Sequence, residues 1–125
     1  MNIIDSSCWI EYLMDSEIGA SIAPVIENTN ELIVPTITLY EVFKKLLLEK
    51  DEDYAQNIVS YMQTGMVIDF NSNLSIDAAN ISRKHKLAMA DSIIYATALN
   101  YSAVIYSCDK HFENIPNVIY FPKII

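Results

Sequence analysis

Four carboxylates stand where this sequence could do chemistry: Asp5 after "NII", Glu41 after "VPTITLY", Asp91 in "LAMADSIIYATAL" and Asp109 in "VIYSCDKHF". Each also has a local reading. Asp5 and Asp91 precede helical sequence and fit N-caps. Thr38-x-x-Glu41 has the spacing of a capping box. Asp109-Lys110 fits an ordinary turn. The set is more telling than its members, because acids beside helix starts and strand ends recur four times, and helix N-termini favour negative charge. If the four converge, they repel and raise one another's proton affinity. A hard divalent cation removes that conflict. Oxygen donors without a nearby His or Cys set favour Mg²⁺ or Mn²⁺ over zinc. A cation held in this way acts on phosphates: it binds a non-bridging oxygen, activates a water and offsets charge on the leaving oxygen.

The elements that must bring these residues together alternate between short β-rich runs and longer helical ones. Strands are predicted at "NIID" (2–5), "ELIVP" (31–35), "MVIDF" (66–70), "AVIYS" (103–107) and "VIYF" (118–121). "SSCWIEYLM" and "SEIGASIAPVIEN" read as helical, with Pro24 a kink or restart. Leu39, Val42, Phe43, Leu46 and Leu47 form one apolar helix face. Tyr54, Ile58, Val59 and Met62 form the next, which Gly65 stops. Leu74, Ala78 and Ile81 mark a further helix. "DSIIYATALNY" (91–101) is apolar on nearly every side and reads as a buried helix. Strands alternating with helices imply a parallel sheet covered on both faces. Ligands of such sheets sit beyond the carboxyl ends of the strands, where the strand order reverses. There the four acids could meet.

Composition sets the outer bounds. A chain of 125 residues is expected to form one domain, 1–125. With 52% hydrophobic residues, two glycines and four prolines, it can bury a sizeable core. No apolar run approaches the roughly 20 residues of a spanning helix. The first residues lack a basic leader, and Asp5 and Glu11 interrupt the apolar run, so a cytoplasmic location is expected. Cys8 and Cys108 then fit reduced thiols. The net charge of −8 disfavours loose nucleic-acid binding and suits a cation or a basic partner.

The motifs resemble, in order, those of PIN-domain ribonucleases of the small VapC toxin type. "NIIDSSCWIEYL" is similar to the family's opening Asp-Ser/Thr-Ser/Asn motif, and "VPTITLYEV" to its Thr-x-x-Glu helix. "LAMADSIIYATAL" is similar to its Ala-Asp motif before an Ala/Thr-rich helix. "VIYSCDKHF" is similar to its Thr/Ser-x-Asp-x-x-Phe motif, with Ser107 where threonine is commoner. The resemblance spans nearly the whole chain. It implies a three-layer α/β/α fold with a five-stranded parallel sheet, and a metal-dependent endoribonuclease using Mg²⁺ or Mn²⁺. Asp5 and Asp91 would be direct metal ligands. Glu41 and Asp109 would bind a second metal, hold waters or orient the nucleophile. Ser6 and Ser107 would hydrogen-bond carboxylates or phosphate. A homodimer is implied, as is a cognate antitoxin whose basic segment fills the acidic groove. The expected products carry a 5′-phosphate and a 3′-hydroxyl.

Other residues have two readings each. Arg83, Lys84 and Lys86 could contact an RNA backbone or simply end a helix favourably. Lys110 and His111 could touch substrate or form a solvated turn. His85 and His111 lack the arrangement of an acid–base pair. Trp9, Tyr12 and Leu13 read as core or interface, with Tyr40 and Phe43 alike. Cys8 reads as a buried thiol and Asp77 as a first-turn helix acid. Two other functions fit part of the pattern. A catalytically silent PIN-like binding module would keep the fold without the metal. A receiver-type signalling domain would need paired acids after strand one and a phospho-acceptor after strand three. Here strand one ends in a single acid, and Asp69 is predicted inside strand three.

Overall fold

The computed structural model describes residues 1–123. Five strands form one sheet: β1 (Asn2–Ile4), β2 (Leu32–Pro35), β3 (Met66–Ile68), β4 (Val104–Ser107) and β5 (Val118–Tyr120). Their order is β3-β2-β1-β4-β5, and every neighbouring pair is parallel. β1 is therefore central. From it the chain builds outward through β2 and β3, then returns to the other side for β4 and β5. The strand order reverses between β1 and β4, which pair at Asn2–Val104, Ile3–Ile105 and Ile4–Tyr106.

Six helices cover the sheet: α1 (Ser6–Leu13), α2 (Glu17–Glu27), α3 (Thr36–Glu49), α4 (Glu52–Met62), α5 (Ser72–His85) and α6 (Met89–Asn100). The alternation of strand side chains sorts the core into two layers. Ile4, Leu32 and Val34 pack with Trp9, Ile22, Ile26, Val42 and Met62 from α1 to α4. Ile3, Ile33 and Ile105 face the other way, onto Ile94, Tyr95 and Ala98 of α6. A second small cluster joins α5 to α6 through Leu74, Ala78, Ile93 and Ala96. Residues 91–98 of α6 are all buried, which accounts for its lack of a polar face. This is the α/β/α architecture expected from the alternating pattern.

Several local expectations are corrected. α2 runs unbroken through Pro24. α4 ends at Met62, and Gly65 has no positive φ. Gly65 matters for space instead: a Cβ there would sit 3.0 Å from the Leu32 carbonyl of β2. Leu47 is 42% exposed, because the buried face of α3 runs through Val42 and Leu46. Asp77 lies beyond the first turn of α5, whose start is capped by Asn71, and its carboxylate accepts from Asn100 Nδ2 at 3.2 Å. β3 stops at Ile68, so Asp69 follows the strand rather than lying within it. Asp69 is exposed and follows an edge strand, away from the point of reversal.

No described helix is long and apolar enough to cross a membrane.

Candidate active site

Central strand β1 delivers Asp5 to the carboxyl edge of the sheet. Asp5 is extended (φ −64°, ψ 154°) and occupies the N-cap position of α1, yet its side chain caps nothing. Its backbone carbonyl starts the helix, accepting from the N–H groups of Cys8 and Trp9. The carboxylate turns instead toward two hydroxyls. Oδ2 accepts from Ser7 Oγ at 2.7 Å and from Ser107 Oγ at 2.9 Å. Each serine also accepts a backbone N–H from the loop after β4: Ser7 from Cys108 and Ser107 from Asp109. The ends of β1 and β4 are thus tied together around one buried carboxylate. Burial is the main force raising the Asp5 pKa; both serine hydrogen bonds oppose it and the nearby Asp109 charge adds to it.

Glu41 comes from α3. That helix begins at Thr36 with Pro35 as its N-cap, so Thr38 lies inside the helix and the capping box does not form. Thr38 is fully buried and its hydroxyl has no hydrogen-bond partner among the described residues. Freed from capping, Glu41 reaches the cleft, where Oε1 is buried and likewise unpartnered among the described residues. Its pKa is pushed up to about 7, first by burial and then by the Asp5 charge, with Ser6 pulling the other way and Asp91 and Asp109 adding to the rise.

Asp91 is the third residue of α6, whose N-cap is Ala88, so it is a first-turn acid rather than a cap. It is 7% exposed, and its pKa is pushed up to about 6 by burial, then by Asp109 and Asp5. His111 opposes that shift. Asp109 caps the short 3-10 turn Lys110–Phe112, where its Oδ1 accepts the His111 N–H at 2.9 Å. The capping and site roles of Asp109 coexist. His111 Nδ1 lies 3.2 Å from Asp109 Oδ1 and 3.4 Å from Asp91 Oδ2.

Asp5, Ser6, Glu41, Asp91 and Asp109 therefore line one cleft of about 260 Å³. At about 30 Å³ per water, that volume holds a cation with its waters and a phosphate group. Ser107 stands behind Asp5 rather than in the opening. The predicted basic contacts are elsewhere. Arg83 and Lys84 end α5, Lys86 is its left-handed C-cap (φ 56°), and Lys110 is exposed beside Asp109; none lines the cleft. The cations that do line it are Lys45 and Lys123. Lys45 carries no motif in the sequence, although it stands one helical turn after Glu41. Ser6 lines the cleft and hydrogen-bonds Glu41, and Ser7, which the motif does not single out, bonds Asp5.

The donors present fit a hard divalent cation. They are carboxylate oxygens, several with raised proton affinity, and Glu41 Oε1 has no partner among the described residues. Asp91, Asp109 and His111 each offer a ligand atom within 4.8 Å of the others. The two cysteines are free and buried, with their sulfurs in contact with each other at 3.4 Å.

A family model described as the PIN domain matches residues 3–118. Solved structures share the architecture. A toxin–antitoxin complex from Klebsiella pneumoniae aligns with a TM-score of 0.77 and 21% identity, over 95% of this chain and 96% of that one. VapC20 of Mycobacterium tuberculosis, described as a sarcin-ricin-loop-cleaving toxin, aligns at 0.75 and 13%, over 93% and 95%. DNA-bound VapBC from Salmonella typhimurium aligns at 0.72 and 18%, over 96% of each chain. No curated protein sequence matches the chain.

Proposed function

Because this chain belongs to the PIN-domain family, we propose that its acidic cleft is the active centre of a divalent-metal-dependent endoribonuclease, the VapC-type toxin of a toxin–antitoxin pair. One observation carries this reading. Four carboxylates from separate parts of the chain share a single cleft, and the buried Glu41 Oε1 among them has no hydrogen-bond partner among the described residues. An unpaired buried oxygen is costly, and a cation would relieve both that cost and the mutual repulsion.

Asp5 and Asp91 are the direct ligands in this scheme. Asp5 is held by Ser7 and Ser107, and Asp91 by the first turn of a helix buried over residues 91–98, so both are positioned before any ligand arrives. Glu41 and Asp109 hold a second ion or ordered waters, and Glu41 Oε1 orients the attacking water. The bound Mg²⁺ or Mn²⁺ supplies Lewis-acid stabilisation of the phosphate and lowers the pKa of the attacking water. Lys45 and Lys123, at the cleft wall, contact flanking phosphates. No 2′-hydroxyl is required, so the products carry a 5′-phosphate and a 3′-hydroxyl.

The partners follow from the same reading. An acidic cleft on a chain of net charge −8 suits a basic antitoxin segment. Two of the solved relatives are themselves complexes of toxin with antitoxin. A homodimer is proposed as well, supported by exposed Tyr40, Leu47 and Leu48 on α3.

The test is cleavage of structured RNA with Mg²⁺ or Mn²⁺. Asp5→Asn and Asp91→Asn are each expected to lose more than about 100-fold in rate. Full cleavage by either variant would remove that residue from the site.

A further inference from the structure

We propose that His111 is a nitrogen ligand of the cation held at Asp91 and Asp109, so that the site prefers Mn²⁺ to Mg²⁺. This rests on the reading of the cleft as a cation site and names a donor that the four acids alone do not supply.

His111 Nδ1 lies 3.2 Å from Asp109 Oδ1 and 3.4 Å from Asp91 Oδ2. The three ligand atoms belong to two separate elements, yet all lie within 4.8 Å of one another. For bonds of about 2.0–2.3 Å, adjacent ligands of an octahedral cation are about 2.8–3.3 Å apart. Both nitrogen–oxygen separations are already close to that edge length.

The ring is also held there by local structure. Asp109 accepts the His111 backbone N–H at 2.9 Å, which closes the 3-10 turn and fixes the His111 backbone beside the same carboxylate. The next residue, Phe112, is fully buried and anchors the turn in the core. The His111 side chain is 71% exposed, while the two carboxylates it touches line the cleft. An exposed imidazole gives up little when it exchanges a carboxylate contact for a metal bond. Its contacts with Asp91 and Asp109 are the ones a cation would replace.

The donor type decides which cation gains. Mg²⁺ takes oxygen ligands and sheds water reluctantly, so an imidazole adds little to its binding. First-row transition cations accept imidazole nitrogen, and Mn²⁺ can combine it with carboxylates. A site of carboxylates alone would discriminate weakly between the two ions. A site with His111 added would not.

The experiment uses the full chain with each metal alone. Titration calorimetry measures Mn²⁺ and Mg²⁺ affinity for the wild type and for His111→Ala. Pulsed electron paramagnetic resonance of bound Mn²⁺ reads directly coordinated ¹⁴N. We expect ¹⁴N coupling in the wild type and its loss in His111→Ala. Mn²⁺ affinity should fall about tenfold in the variant while Mg²⁺ affinity stays unchanged. Mn²⁺ bound without ¹⁴N coupling would make His111 a counter-ion only, overturning this inference and leaving the cleft reading intact. Absence of Mn²⁺ binding at any concentration tested would overturn both. Thermal denaturation without metal, expected to be the same for both chains, separates these outcomes from misfolding.

Discussion

Ser107, the last residue of β4, donates its hydroxyl to Asp5, the first residue beyond β1, across 102 positions of sequence. The same oxygen accepts the Asp109 N–H. One buried hydroxyl therefore fixes two of the four acids at once. Ser107→Ala should remove a donor from Asp5 and strand the Asp109 amide. A loss of about 1–3 kcal/mol in urea denaturation is expected, with divalent-metal affinity reduced about 10–100-fold by calorimetry. Ser107→Thr keeps the hydroxyl and should retain most of both.

Stability without metal should fall as pH rises. Glu41 titrates near 7 in the folded chain against an ordinary 4.5, and Asp91 near 6 against 3.8. Between those limits the folded state binds more protons than the unfolded one, so the unfolding free energy decreases with pH. The stabilising protonation is complete at low pH and is lost as pH rises through about 7. Both groups are partly solvated, so screening reduces the effect to about 1 kcal/mol for Glu41. That corresponds to roughly 4 °C in a chain of this size. Scanning calorimetry at pH 5 and pH 8 in a chelator should show the decline. Glu41→Gln should flatten it, and Mg²⁺ at pH 8 should restore stability in the wild type but less so in that variant.

Lys45 should matter more for substrate than the basic cluster that the sequence draws attention to. It lines the cleft one turn from Glu41, whereas Arg83, Lys84 and Lys86 do not. With Asp5→Asn as an uncleaving background, Lys45→Ala should weaken RNA binding and reduce the salt-dependence slope by about 0.7. The triple variant Arg83→Ala, Lys84→Ala, Lys86→Ala should change binding by less than Lys45→Ala alone.

Gly19 sets the approach of α2 to α1. A Cβ at this position would collide with the Glu11 carbonyl and sit 2.7 Å from Tyr12 Cα, both backbone atoms. Neither can rotate away. Gly19→Ala should cost about 1–3 kcal/mol or more, visible as a lower denaturation midpoint. RNA cleavage per folded molecule should be preserved, because neither Gly19 nor the Glu11 and Tyr12 atoms it meets line the cleft.

Strand placement and the four acids were legible because their signals are local. A short β-branched run ending in a carboxylate says where the chain must turn, and the strand–helix alternation says where such turns gather. What was hidden depends on side-chain direction. Asp5 and Glu41 both carry capping signatures, and neither side chain caps: Asp5 turns to Ser7 and Ser107, and Glu41 sits inside a helix that starts two residues before Thr38. The helix starts earlier than the capping box implies, at Thr36, with Pro35 extended (φ −63°, ψ 142°) in the N-cap position. Lys45 was missed because a lysine on an amphipathic helix reads as solvent-facing until the helix is docked. His111 was read as a solvated turn residue, and its exposure agrees, but one ring nitrogen still reaches two carboxylates.

The order of the strands has a consequence for when the cleft can exist. β1 pairs with β2, the next strand in the chain, but its other neighbour, β4, is synthesised only after β3, α5 and α6. Until Ser107 arrives, Asp5 lacks one of its two hydroxyl donors and Asp109 has not been made. A growing chain can therefore bury much of the layer formed by α1 to α4 while its carboxylates remain unassembled. The reversal at the centre of the sheet makes assembly of the site wait for the segment that follows α6, so the cleft exists only after β4 has been made.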